Sequence, residues 1–291
     1  MEKTIRAMLD NYQCQTDNDF ENALKEIMQQ VALVGLWRAK FFEHAAFYGG
    51  TALRILYQLD RYSEDLDFSL LTKDTGFNLA SYLNAIESEL EAFGFTTSVS
   101  MKEKSNQSAI QSAFLKANTL EHLIRIEAPA EILQRSHGRS LLKIKLEVDT
   151  TPPLEFSTEQ VAVFQPIPFW VKSFTLPSLF AGKICAVLLR QWQKRVKGRD
   201  WYDFLWFIQR GVPVDLKHLE QRLRDYGFYE ADQSLGTDEV KQLLHARIDE
   251  LDIELAKEDI IKFIRPPSSI EAWSRALFHA ATDRLKMEEK H

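Results

Sequence analysis

The sequence predicts an α+β fold, a mixed sheet with flanking helices followed by a C-terminal helical lobe. Stretches of period-two alternation, among them Asp65–Leu70, Phe95–Met101 and Lys143–Asp149, fall between residues 40 and 172 and are separated by runs of helical period. After Pro152-Pro153 and the Pro-punctuated stretch Gln165–Pro177, helix-period runs follow one another to the end. The chain has 291 residues, 45% of them hydrophobic and 27% charged, which suits a soluble protein with a sizeable core and length enough for two lobes. The expected division is 1–172 for the sheet domain with its N-terminal helices and 173–291 for a helical domain completing a cleft.

In chain order, Phe20, Leu24, Ile27, Val31 and Val34 recur at helical spacing between Asp19 and His44, with Asp17 or Asn18 available as N-cap. Phe47-Tyr48 then reads as a strand, Gly49-Gly50 as a turn and Thr51–Tyr57 as a helix. Asp65–Leu70 alternates polar and apolar residues as a half-buried strand does, and Asn78–Phe93 returns to helical period before Gly94. Phe95–Met101, Ser108–Lys116 and Lys143–Asp149 read as further strands, while Thr119–Arg139 carries no assignable pattern. The helices expected beyond are Ser178–Gln193, Asp200–Gln209, Leu216–Asp225, Asp238–Leu255 and Ile270–Met287.

Several functional classes are excluded. No apolar run approaches the ~20 residues of a membrane span, so no membrane partner is expected. The N-terminus shows no apolar signal region and soon becomes acidic, which leads to the expectation of a cytoplasmic protein. Cys14 and Cys185 are the only cysteines, too few for a disulfide framework or a structural zinc site. The net charge of −6 argues against a surface wholly coated by nucleic acid and leaves room for a local basic patch.

Chemistry concentrates in two places. A double glycine opening a helix lets the backbone approach a ligand closely and presents free amides to phosphate oxygens, with Thr51 able to add a hydroxyl. Taken alone it is an ordinary turn. Fourteen residues on, Asp65 and Asp67 stand at i and i+2, so a strand places both carboxylates on one face. Their repulsion is relieved by a cation, and Mg²⁺, which takes one or two carboxylates and completes its shell with phosphates and water, is the natural ion; the plainer reading is a solvated edge strand.

Phe47-Tyr48-Gly49-Gly50-Thr51-Ala52-Leu53, followed by Arg61-Tyr62-Ser63-Glu64-Asp65-Leu66-Asp67-Phe68, resembles the first motif of the AbiEii/AbiGii toxin family, within the DNA polymerase β-like nucleotidyltransferase superfamily. The resemblance implies a polymerase β-like sheet domain. It implies nucleotide-binding roles for Gly49, Gly50, Thr51, Arg61 and Ser63, and metal-binding, catalytic roles for Asp65 and Asp67. A third metal-binding carboxylate is expected on a later strand, where Asp149 is the candidate and Glu147 the alternative.

The second place is Lys183–Arg199, with six basic residues and no acidic one. Lys183, Arg190 and Lys194 share one helical stripe, which suits a polyanion or, more plainly, a solvated helix face. Arg199-Asp200-Trp201-Tyr202-Asp203 continues the family resemblance, which assigns catalytic roles to Lys183, also a nucleotide contact, and Asp200. Asp200 and Asp203 also have the spacing of an N-cap and its N3 acid. The implied reaction moves a nucleoside monophosphate from a nucleoside triphosphate to an acceptor hydroxyl, with Mg²⁺ or Mn²⁺ as cofactor. The implied acceptor is RNA such as the tRNA 3′ end, gripped by Arg190, Lys194, Arg195 and Lys197. The setting is a toxin–antitoxin or abortive phage-infection system with a cognate antitoxin. The alternative is a nucleotide-binding regulatory or interaction module without catalysis.

Overall fold

A computed structural model describes residues 2–101, 119–127, 142–190, 196–230, 234–265 and 267–288. The chain forms two compact units: residues 1–58, 62–152 and 159–173, and residues 59–61, 153–158 and 174–291.

The first unit is built on a seven-stranded sheet. Its strands are β1 (Ala45–Tyr48), β2 (Asp65–Leu70), β3 (Thr96–Met101), β4 (Thr119–Glu127), β5 (Leu142–Asp149), β6 (Thr158–Val163) and β7 (Phe169–Phe174), in the spatial order β3-β4-β5-β2-β1-β7-β6. β2 is antiparallel to β1 and parallel to β5, so the sheet is mixed. The period of two works as expected in its centre. Phe47, Leu66, Phe68, Leu146 and Val148 are buried on one face. Against that core pack α2 (Asp17–Arg38) and α4 (Ala80–Ala92), with α1 (Glu2–Asn11) alongside α2. α2 and α4 approach so closely that a Cβ on Gly35 would lie 2.8 Å from the backbone of Ala85 and Ile86.

The cap of α2 is Thr16, not Asp17 or Asn18. Its hydroxyl accepts the Asp19 N–H at 3.2 Å while Asp19 accepts the Thr16 N–H at 3.0 Å, a reciprocal capping box. No turn separates β1 from α3 (Gly49–Tyr57), since the helix begins at Gly49 itself. β4 runs through the first part of the segment that carried no pattern, and β7 lies inside the Pro-punctuated stretch, where Phe169, Val171 and Ser173 alternate inward. The proposed strand Ser108–Lys116 and the residues 128–139 lie outside the described residues.

The second unit is helical: α5 (Leu176–Leu189), α6 (Gly198–Gln209), α7 (Leu216–Asp225), α8 (Thr237–Asp249), α9 (Ile253–Ile260) and α10 (Arg275–Asp283) among the described residues. α5 packs on α6, α7 and α8, and α6 packs on α9 and α10. The helix expected over Asp238–Leu255 is two helices, because Asp252 caps α9 by accepting the Leu255 N–H at 3.0 Å. The one expected over Ile270–Met287 shrinks to α10, capped by Ser274. α5 ends at Leu189 with an extended Arg190 as its C-cap, so the helix expected over Ser178–Gln193 stops short of Arg190 among the described residues.

Candidate active site

Asp65 and Asp67 are half-buried on the face of β2 opposite the core, while Leu66 and Phe68 between and after them are fully buried. Tyr48 is the register partner of Asp67 across β1, so the end of β1 and the start of α3 lie beside that carboxylate. Gly49 has φ +85°, and a Cβ there would press on the Asp67 carboxylate, 3.1 Å from its Cβ and 3.2 Å from its Cγ. Two independent demands thus fall on one glycine: a left-handed backbone and room for Asp67. The first turn of α3 carries no acidic residue and no side-chain cap, so its leading amides open next to the carboxylate pair.

Residue register also places the third-carboxylate candidates. Across β5, Lys145 faces Asp65, Glu147 faces Asp67 and Asp149 faces Ser69. Glu147 pairs with Lys145, and Asp149 accepts the Thr151 N–H at 3.0 Å. Among the described residues, no three His, Cys, Asp or Glu side chains are grouped so as to hold a metal ion. Asp65 and Asp67 together are still a fitting donor set, because Mg²⁺ binds through one or two carboxylates when nucleotide phosphates supply the rest.

Of the expected phosphate contacts, Thr51 turns inward. Thr51 is fully buried and its hydroxyl donates to the Asp65 carbonyl. Ser63 is half-buried, and its carbonyl accepts from the Gln29 amide at 3.2 Å. Gln29 carries no motif; like its buried neighbours Glu26 and Gln30, it is a polar residue at a core position of α2, and that is the available signal.

In the second unit, α5 and α6 bring Lys183, Asp200 and Asp203 together, and Arg61 joins them. Lys183 Nζ lies 2.6 Å from Asp203 and 3.6 Å from Asp200. Arg61, expected on the nucleotide, is 2% exposed and grips Asp203 with two 2.6 Å bonds, from Nε and a terminal nitrogen. A guanidinium committed in this way has little left to offer a ligand. Arg190 Nε approaches Asp200 at 3.0 Å, outside hydrogen-bonding alignment. Lys194 and Arg195 lie outside the described residues. Asp200 is the third residue of α6 and Lys197 its N-cap position, without a side-chain bond, so the expected Asp200/Asp203 cap is absent. The pair's spacing serves the ion cluster instead.

Electrostatics follow from this cluster. Burial works to raise the Asp200 carboxyl, and Arg190, Lys183, Lys197 and Arg61 more than offset it, holding the group well below the usual carboxylate range. Asp203 is likewise depressed, with Arg61 and Lys183 outweighing burial. Burial lowers Lys197 to about 8, only partly opposed by Asp200.

The model of the nucleotidyl transferase AbiEii toxin family, a type IV toxin–antitoxin system, matches residues 31–282. This chain belongs to that family. It is a nucleotidyltransferase toxin, and the match spans both units. The fold also resembles MenT4, a nucleotidyltransferase toxin from Mycobacterium tuberculosis H37Rv, with a TM-score of 0.56 at 16% identity over 98% of this chain and 88% of that one. JHP933 from Helicobacter pylori matches at a TM-score of 0.46 and 16% identity, covering 90% of this chain and 94% of that one. Comparison with curated proteins gave no match.

Proposed function

We propose that this toxin transfers a nucleoside monophosphate from a nucleoside triphosphate to a hydroxyl of RNA, in a reaction that depends on Mg²⁺ or Mn²⁺. The observation that carries the reading is Gly49, whose missing Cβ leaves room for Asp67 where the amides of α3 open. A divalent ion held by Asp65 and Asp67 would supply charge neutralisation for the triphosphate and its leaving group. The backbone of Gly49 and Gly50 and the Ser63 hydroxyl bind and orient phosphate oxygens. Lys183 acts as a point charge on the triphosphate, its ammonium held by Asp200 and Asp203. Asp200, 3.6 Å from Lys183 and 3.0 Å from Arg190, positions these two cations and can orient the acceptor hydroxyl. Arg190 and Lys197, with Lys194 and Arg195, form the RNA grip.

The family resemblance favours the tRNA 3′ end as acceptor, cytoplasmic action, and arrest of translation during phage infection until a cognate antitoxin relieves it. The test supplies the purified chain with total RNA and each nucleoside triphosphate labelled at the α or the γ phosphate. The reading expects α label in RNA only when divalent ion is present. Label entering RNA from the γ phosphate, or none from either, contradicts it.

A further inference from the structure

Three consecutive backbone carbonyls lead into the carboxylate strand, and they are held by two side chains from different places in the sequence. Gln29 Nε2 donates to the Ser63 carbonyl at 3.2 Å and to the Glu64 carbonyl at 2.9 Å. The Thr51 hydroxyl donates to the next carbonyl, that of Asp65. Gln29 is 1% exposed and Thr51 fully buried, so these bonds are shielded from competing water. One turn away the same two helices are joined again. Glu26 of α2 accepts from Arg54 Nε of α3 at 2.7 Å, and the Arg54 guanidinium lies 4.8 Å above the ring of Tyr62, the residue before Ser63. Residues at i and i+3 on α2 and at i and i+3 on α3 therefore grip every position from 62 to 65.

We infer that Gln29 and Thr51 are positioning residues: they fix the height and rotation of the strand that presents Asp65 and Asp67, and so the distance between the two carboxylates. The inference rests on the proposed role of that pair. An amide that bonds two successive carbonyls permits little rotation of the peptide between them, and a hydroxyl on the third removes what freedom remains. Neither side chain touches substrate. Their effect is exerted through the spacing of the carboxylates, which a divalent ion senses directly, since outer-shell partners of a metal site typically change metal affinity or activity by ~10–100-fold when lost. α2 thus does more than cover the sheet, because its buried polar residues carry the position of the site.

The test uses the full chain in four forms: wild type, Gln29→Met, Thr51→Val and Thr51→Ser. Mn²⁺ binding is read by the paramagnetic resonance of free ion in the presence of nucleotide, alongside transfer rate and melting temperature. Gln29→Met and Thr51→Val remove the donors at nearly constant volume, and Thr51→Ser keeps the hydroxyl. Weakening of Mn²⁺ binding by roughly tenfold or more in the first two, with turnover reduced in step and acceptor KM unchanged, is the expected result. Thr51→Ser should return both to within about threefold of wild type. Wild-type Mn²⁺ affinity in folded Gln29→Met and Thr51→Val overturns the inference, as does a Thr51→Ser protein that is folded yet no better than Thr51→Val. Asp67→Asn run beside them separates the two claims. If it stays active, the role of the carboxylate pair fails; if it is inactive while the clamp variants bind Mn²⁺ normally, only the clamp fails.

Discussion

Asp67 and Gly49 constrain each other directly, since a Cβ at 49 would press on the Asp67 carboxylate. An alanine at 49 would need a left-handed backbone and would also collide with the Asp67 side chain. Gly49→Ala should therefore lower transfer by roughly 100-fold, the scale of a 1 Å misplacement in a reacting geometry, and a rate assay on the folded variant checks it. In the second unit, Arg61 and Asp203 are a fully buried bidentate pair. Asp203→Asn would leave Arg61 and Lys183 under-compensated, with an expected loss of about 3–5 kcal/mol measured by denaturant unfolding. Lys197 gives a pH signature. Its ammonium is disfavoured by burial, with a value of about 8, so RNA affinity that depends on its charge should weaken as pH rises through about 8. Lys197→Arg should remove that dependence, and binding titrations from pH 7 to 9.5 would detect it.

At the scale of elements, the legible parts were those with one face in the core. Asp65–Leu70 and Leu216–Asp225 coincide with the expected segments because strict alternation, or a strong apolar stripe, leaves one choice of face. The rest failed for identifiable reasons. β4, β6 and β7 have no counterpart among the expected strands, because charged and Pro-flanked residues mask their period. Two helices are shorter than their periodicity predicts because Asp252 and Ser274 act as N-caps, a role that a single Asp or Ser does not reveal in sequence. For the site, the shared face of Asp65 and Asp67 is legible in their i, i+2 spacing, but the pairing of Arg61 is not. Its partner Asp203 is 142 positions away, and no local pattern records that distance. One glycine illustrates an element-scale constraint that spacing cannot reveal. Gly198 opens α6 where a Cβ would overlap the Ala256 carbonyl of α9. Gly198→Ala should cost about 1–3 kcal/mol, the usual penalty for overpacking, visible as a lower melting temperature.

For the molecule as a whole, acid should unfold the second unit through its buried carboxylates. Asp200 and Asp203 are both depressed in the folded state, so their contribution is present above the unfolded carboxylate range near pH 4 and is lost as pH falls below it. The family assignment rests on a match from residue 31 to 282, and in the proposed function the carboxylate pair on β2 is the feature that would carry its chemistry. The most direct measurement is therefore transfer of α-labelled nucleotide to total RNA by wild type, Asp65→Asn and Asp67→Asn, with melting temperature recorded for each. The account predicts that both variants melt at or above the wild-type temperature, because a like-charge pair has been relieved, and transfer no label. A folded Asp67→Asn protein that labels RNA at the wild-type rate would contradict it.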